Sequence, residues 1–181
     1  YRMGQAASTP LLDGSIIERH PYPALSFLAA LPFAWAGLPG VCVLAHMAAA
    51  TVKNRPPLGF FKTFIVEKGG EHKDELNLKF RGIGPLVDLV RLFSLETGIS
   101  ETSTLERIEA MKGKHPTVDS VGDELAQAFE FITLLRIHHQ VEQIERGEAP
   151  DNFVNPSTMS NLEKRILKES FQIISKVQDG I

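Results

Sequence analysis

The feature that most restricts the fold of this chain is a series of apolar segments at helical spacing, each enclosed by residues that begin and end helices. Gly84-Pro85 places a proline in the first turn of one predicted helix, and Gly98 ends it. The predicted core face of this helix consists of Leu86, Leu89, Val90 and Phe93. Short connections between such segments predict an all-α antiparallel helical bundle with one short extended or hairpin segment.

Two capping-box patterns predict where further helices begin. Ser103 with Glu106, and Ser160 with Glu163, have the three-residue spacing in which each side chain bonds the backbone N–H of the other. Each pair therefore predicts a helix start. The core face of the helix after Ser160 is expected to contain Leu167, Phe171 and Ile174.

Glycine and proline predict where the helices of the C-terminal half end. Gly113 and Pro116 are expected to end the helix that follows Ser103. The longest predicted helix starts near Ser120 and stops at Gly147. Residues 149–156 are rich in Pro, Asp and Asn and are predicted to be a loop.

An uncharged stretch precedes these helices, since residues 20–52 contain no Asp, Glu, Lys or Arg. Helix breakers interrupt it at Pro32, Gly37, Pro39 and Gly40. The remaining apolar pieces are shorter than the ~20 residues that span a bilayer. We therefore expect packed helices and no membrane association, with one helix over residues 41–54 that Arg55-Pro56-Pro57 ends.

The N terminus is interpreted as the boundary of a separate region. The chain begins without an initiator methionine, and residues 1–22 are predicted to be a tail or linker left from an upstream domain. Residues 15–18 are predicted to form a short strand there. Residues 23–181 are expected to form one helical domain, because 181 residues with 43% hydrophobic composition suffice for one core.

Charge and cysteine content indicate which partners the protein attracts and in which compartment it is found. A formal net charge of -3 provides no overall attraction to nucleic acid or to anionic lipid, so neither is an expected partner. The single cysteine, Cys42, cannot form an internal disulfide and lies in an apolar run. These features favour a cytoplasmic protein.

The chain lacks the patterns of common nucleotide-transferring and metal sites. Metal-dependent nucleotidyl transfer uses carboxylates close in sequence, and no Asp-x-Asp or Asp-x-Glu occurs. Neither Gly69-Gly70 nor Gly82-Ile83-Gly84 precedes the Lys-Ser/Thr of a phosphate loop. No two histidines have the four-residue spacing of a helical zinc site. We therefore predict no catalytic residue, no metal site and no cofactor on this chain.

Two polar sets remain as candidate binding residues. The longest predicted helix becomes polar where its apolar spacing would continue, at Arg136, His139, Gln140 and Gln143. This set is either the solvated end of a helix that extends beyond the core, or a polar pocket or interface with a missing domain.

The second set is basic and lies around Gly69-Gly70, at Lys68, His72, Lys73, Lys79 and Arg81. Apolar and polar residues alternate over residues 76–81, so an extended segment would place Asn77, Lys79 and Arg81 on one face. Such a face suits a phosphate or carboxylate, whereas the interleaved acidic residues favour an ordinary charged surface. Asp88 and Arg91, three residues apart, are expected to form an ion pair.

Ordered blocks from Val41 to the C terminus resemble the family of putative nucleotidyltransferase substrate-binding domains. The blocks are residues 54–61, 66–73, 78–82, 85–88 with Arg91, 104–107, 128–131, 135–136, 139–140, 147–152, 162–163 and 167–168. The resemblance implies a helical bundle related to the substrate-binding domain of kanamycin nucleotidyltransferase. In bacterial signal-transduction proteins, such a bundle follows cyclic-nucleotide-binding and CBS domains and a nucleotidyltransferase domain similar to that of PII uridylyltransferases.

The same resemblance implies that catalysis and substrate binding belong to different domains. The metal-binding carboxylates, the Mg²⁺ and the nucleoside triphosphate would belong to the missing upstream nucleotidyltransferase domain, which is the expected partner. Upstream of Val41 the uncharged segment departs from the family, where it either covers a surface for that domain or forms a homodimer interface.

We therefore expect a non-catalytic substrate-binding domain, with a pure interaction or dimerisation module as the alternative. The residues expected to meet the substrate, a protein or a nucleotide, or the catalytic domain are Lys73, Lys79, Arg81, Asp88, Arg91, Arg136, His139 and Gln140.

Overall fold

A computed structural model describes residues 39–59 and 63–181, except for the side chains of Pro39 and Val41. Most of the described residues belong to one compact unit, Met47–Ile181. The predicted strand at residues 15–18, the predicted tail and the first apolar piece lie outside the described residues. Within the described residues, no helix combines the length and apolarity that crossing a membrane would require.

The described part of the chain is a helical bundle with a very small sheet, which confirms the predicted fold class. Its α-helices are α1 (Pro39–Lys53), α2 (Gly84–Glu96), α3 (Thr104–Met111), α4 (Pro116–Glu145) and α5 (Asn161–Gln178). Two short strands, β1 (Leu76–Asn77) and β2 (Phe153–Val154), pair antiparallel. A π-helical segment (Lys79–Ile83) leads into α2.

Helix α2 follows its sequence signals closely. Pro85 lies in the first turn, and Gly98 adopts a left-handed conformation with φ of 69° beyond the C-terminal end. The predicted core face is confirmed, since Leu86, Leu89, Val90 and Phe93 are buried.

The start of α4 differs from the prediction. Pro116 was expected to end the preceding helix, but it occupies the first turn of α4, whose N-cap is His115. A proline suits this position because the first-turn N–H has no partner within the helix. Gly147 follows the C-terminal end with φ of 76°, as predicted.

The two capping-box patterns have different outcomes. At α5, the Glu163 N–H donates to Ser160 Oγ at 3.2 Å, and the Ser160 N–H donates to Glu163 Oε2 at 2.7 Å. At α3, Ser103 is the N-cap, but its side chain accepts no capping hydrogen bond, so the predicted capping box is absent. Ser103 is exposed, and water is available to the first N–H groups of α3.

The predicted extended segment is much shorter than the sequence alternation suggested. The β-ladder stops after Asn77 because β2 offers a partner of only two residues, at a place where a loop was expected. Asn77 Oδ1 then accepts the Phe80 N–H at 2.9 Å, and the chain turns into the π-helical segment. An extended face shared by Lys79 and Arg81 was therefore wrong, since residues two apart in a helix point to different sides.

The core of the bundle lies between α2, α4 and α5 and the segments that pack on them. The fully buried side chains include Leu125 and Ile132 of α4, and the predicted Leu167, Phe171 and Ile174 of α5. Removing a ring of this kind, as in Phe171→Ala, typically costs about 3–5 kcal/mol. This packing fixes the ends of the helices that carry the polar surfaces described next.

Candidate functional site

Four cationic side chains line one cleft, which we call the basic cleft. They are Lys53, Arg55, Arg81 and Lys176. The cleft has a volume of about 780 Å³, and its other lining residues include Pro57, Leu58, Ile65 and Asp179. Its cations come from three separate parts of the sequence, so only the tertiary fold brings them together.

Only one of these cations has an acidic partner within the described part of the chain. Arg55 Nη1 donates to Asp179 Oδ1 at 2.7 Å, and Arg55 Nε donates to the Val52 carbonyl at 3.3 Å. No carboxylate of the described residues forms an ion pair with Lys53, Arg81 or Lys176. Among the described residues, three of the four cations therefore have no acidic side chain that would compete with an anionic ligand.

A buried glutamine joins the two helix ends that form one wall of the basic cleft. Gln178 is 1% exposed, and its amide donates to the carbonyls of Thr51 at 2.7 Å and Asn54 at 2.9 Å. These bonds tie the end of α5 to the end of α1. As a result, Lys53, at the end of α1, and Lys176, in the last turn of α5, line one cleft.

Arg81 reaches the basic cleft from the π-helical segment. The next residue, Gly82, packs so closely on the bundle that an added Cβ would lie 3.0 Å from Ile132 Cγ2 and 3.3 Å from Phe171 Cε1. Because backbone rather than a side chain makes this contact, the position of Arg81 is fixed by the core. π-Helical turns are often found at functional sites.

The charge of the basic cleft can be compared with that of the helix ends beside it. Four cations and one carboxylate give a formal charge of +3. Each helix C terminus contributes roughly -0.5, and Gln178 already satisfies carbonyls at the end of α1. The cations therefore outweigh the helix ends, and the cleft is positive in a chain whose formal net charge is -3.

A second, smaller cleft of about 390 Å³ lies beside Gly69-Gly70 and also includes Arg81. The His72 ring stacks on the Phe153 ring with centroids 3.6 Å apart, and His72 Nδ1 lies 2.9 Å from Glu75 Oε2. This contact ties the turn at residues 71–74 to β2. Glu67 and Glu71 also line this cleft, so its charge is mixed.

The polar set of α4 binds a loop of the same chain. We call Arg136, His139, Gln140 and Gln143 the polar stripe. Arg136 Nη1 donates to Asn152 Oδ1 at 3.2 Å, and Gln140 Nε2 donates to the Asp151 carbonyl at 2.8 Å. Gln143, which is buried, accepts the Asp151 N–H at 2.9 Å through Oε1.

The loop held by the polar stripe continues into the small sheet. His139 Nε2 lies 3.7 Å from Asp151 Oδ1, and the Asn152 carbonyl accepts the Leu78 N–H at 2.9 Å. The stripe therefore supports β2, which in turn pairs with β1 just before the π-helical segment. The predicted interpretations of the stripe were a solvated helix end, a polar pocket or an interface with a missing domain, and none of them included this intramolecular role.

The remaining predicted residues lie outside both the basic cleft and the polar stripe. Asp88 and Arg91 form the expected contact, with Arg91 Nη1 3.4 Å from Asp88 Oδ1. Burial raises the pKa of Asp88 above its ordinary value of 3.8, and the charge of Arg91 opposes this shift. Lys73 and Lys79 are exposed, and neither lines the basic cleft.

Three residues of the basic cleft were missed by sequence reasoning, namely Lys53, Arg55 and Lys176. The available signal was a basic residue in the last turn of two helices, which usually complements the helix dipole. Nothing in the sequence reveals that these two helix ends meet, because Gln178 looks like any other polar residue near a C terminus.

Metal ligands and the single cysteine offer no further site within the described residues. No group of three or more His, Cys, Asp or Glu residues there is arranged to hold a metal ion. The Cys42 thiol is half-buried and forms no disulfide.

The sequence model of the family described as "putative nucleotidyltransferase substrate binding domain" matches residues 42–181. The chain belongs to this family, as the resemblance predicted. No curated protein and no solved structure gives a match.

Proposed function

We propose that this chain binds and positions a substrate for nucleotidyl transfer, while a separate catalytic domain carries out the chemistry. Membership of the family is the observation that carries the proposal. It is supported by the basic cleft, which offers cations to a charged substrate from a rigid scaffold of helix ends. Holding a reactant in a fixed position lowers the entropic cost of the transfer step.

In this proposal, the catalytic domain supplies the carboxylates and holds Mg²⁺, and a nucleoside triphosphate is the co-substrate that the two domains hold together. The acceptor is a protein, as in the uridylylation of PII-like signalling proteins, and the setting is bacterial signal transduction in the cytoplasm. The basic cleft then faces the reacting molecules, and the polar stripe keeps the adjoining sheet in place.

The proposal is tested by calorimetry and by a transfer assay. We expect the chain to bind a nucleoside triphosphate, a PII-like protein or both, and to transfer no labelled nucleotide by itself in the presence of Mg²⁺. Transfer should occur once the catalytic domain is added on the same polypeptide or in a mixture. Transfer by the chain alone, or binding of neither ligand, would contradict the proposal.

A second candidate function, an interaction or dimerisation module, has one observation in its favour. Helix α4 exposes four apolar side chains at intervals of three and four residues, Leu134, Ile137, Val141 and Ile144. This is the spacing of a helix-pairing seam. Sedimentation over a range of concentrations tests it, because Leu134→Lys and Ile144→Lys should abolish any association while leaving ligand binding unchanged.

A further inference from the structure

We infer that the basic cleft binds the phosphate chain of a nucleoside triphosphate, a location that rests on the proposed function and makes it specific. The formal charge of +3 in the cleft, lowered somewhat by the two helix ends, sets the kind of anion that fits. One phosphate monoester carries about -1.5 to -2 charges at neutral pH. With roughly -0.5 from each of the two helix ends, the cleft has a charge of about +2, so phosphate groups balance it, and the number of phosphates depends on how the cations are distributed.

The distribution of the cations also suits a chain of phosphates. Lys53 and Arg55 stand at the end of α1, Lys176 near the end of α5, and Arg81 on the π-helical segment. Because the cations approach from separate elements, they can contact successive phosphates. The arginines add forked donors that fit two phosphate oxygens at once.

The rest of the cleft lining favours a nucleotide over inorganic polyphosphate. Pro57, Leu58 and Ile65 form an apolar part of the same cleft, and Ile65 is 52% exposed. An apolar surface next to cations suits a ligand with a charged end and a flat, weakly polar end. A nucleoside triphosphate has both.

One carboxylate competes with the phosphates for the cleft. Asp179 holds Arg55 in the empty cleft through the 2.7 Å contact. Both side chains are substantially exposed, so the ion pair is weak and easily exchanged for a phosphate contact. Removing the carboxylate should therefore strengthen binding, which a purely structural role of these residues would not produce.

The experiment measures the Kd of the whole chain for a nucleoside triphosphate and for pyrophosphate by calorimetry. Combined Lys53→Gln, Arg81→Gln and Lys176→Gln should weaken triphosphate binding about tenfold or more. Asp179→Asn should strengthen it about two- to fivefold. Lys114→Gln, at an exposed lysine that does not line the cleft, is the matched control and should change nothing.

Two results would overturn the inference without touching the proposed function. Triphosphate binding that the triple variant leaves intact would place the ligand elsewhere. Binding of a PII-like protein with no binding of either phosphate compound would make the cleft a protein contact. Binding of none of the three ligands would defeat both proposals together. The variants alter exposed side chains, and unchanged melting temperatures verify that each one is folded.

Discussion

The basic cleft and the polar stripe contain similar side chains but differ in where their hydrogen bonds go. In the polar stripe, Arg136, Gln140 and Gln143 bind Asp151 and Asn152 of the adjoining loop. In the basic cleft, three of the four cations have no acidic partner among the described residues. The stripe is therefore used mainly within the fold, whereas the described residues leave three cations of the cleft unpaired.

This difference teaches that polar residues at a helix surface say little about function until their partners are known. The stripe interrupts an apolar helical pattern, which made it a candidate binding surface. A loop of the same chain supplies donors and acceptors to part of the stripe, whereas Arg136 Nε and His139 Nε2 are buried without a hydrogen-bond partner among the described residues. The cations of the cleft gave no such signal, because basic residues at helix ends are common.

The largest expected effect lies at the glutamine that builds the basic cleft. Gln178→Ala removes the donors to the carbonyls of Thr51 and Asn54 and leaves them poorly satisfied. The free energy of unfolding in urea should fall by about 2–3 kcal/mol. Gln172→Ala, at a half-buried residue of the same helix and cleft, should cost much less. Equal losses in the two variants would mean that the bonds of Gln178 contribute nothing particular.

The next effect tests the structural role of the polar stripe. Gln143→Ala leaves the Asp151 N–H without its acceptor and should destabilise the fold by about 1–2 kcal/mol, measured by urea unfolding. The Kd for a nucleoside triphosphate should not change. Gln127→Ala, at an exposed position of the same helix, is the control and should change the free energy of unfolding very little. A Gln143→Ala variant with normal stability but altered ligand binding would show that the stripe, and not only the cleft, contacts the ligand.

Charge reversal at two neighbouring positions sharpens the boundary of the basic cleft. Arg81→Glu should weaken triphosphate binding about tenfold, because it places an anion in the cleft. Lys79→Glu should have little effect, since Lys79 does not line the cleft. Both variants should keep their unfolding free energy within about 0.5 kcal/mol, because both side chains are exposed. Calorimetry and urea unfolding of the pair distinguish a local contact from general charge attraction, which would weaken binding equally in both.

The smallest effect concerns Asp88, outside both surfaces. Burial raises its pKa in the folded protein, so its contribution to stability is complete below the ordinary value of 3.8 and is lost as pH rises through the folded-state pKa. Asp88→Asn should therefore be more stable than the parent at pH 7, by roughly 0.5 kcal/mol. The advantage should vanish in unfolding measurements below about pH 4. A variant that is less stable at pH 7 would instead identify the Arg91 contact as the dominant interaction.

The helices could be predicted from the sequence because their signals are local. Pro85, Gly98 and Gly147 act on the backbone at or next to their own positions, and the structure places them at helix ends as expected. Even so, local motifs were not always decisive. Ser160 forms its capping box and Ser103 does not, although the two sequences have the same spacing.

The candidate site could not be predicted in the same way because it depends on distant contacts. Arg81 was predicted as a binding residue, but on an extended face, whereas a two-residue partner strand ends the ladder and leads to a π-helical turn. Lys53 and Lys176 are 123 positions apart, and they line one cleft because Gln178 joins two helix ends. Such pairings follow from packing rather than from spacing.

The close contact of Gly82 with Ile132 and Phe171 has a consequence for how this domain can evolve. A side chain at position 82 would press on the core and on the backbone that carries Arg81. An alanine at position 82 is therefore accommodated most easily once position 132 has lost its Cγ2 methyl group, for instance through Ile132→Ala, whereas Ile132→Val would keep that group. The order in which substitutions arise is thus constrained here, and relatives that carry a larger residue at position 82 should also carry a smaller one at position 132.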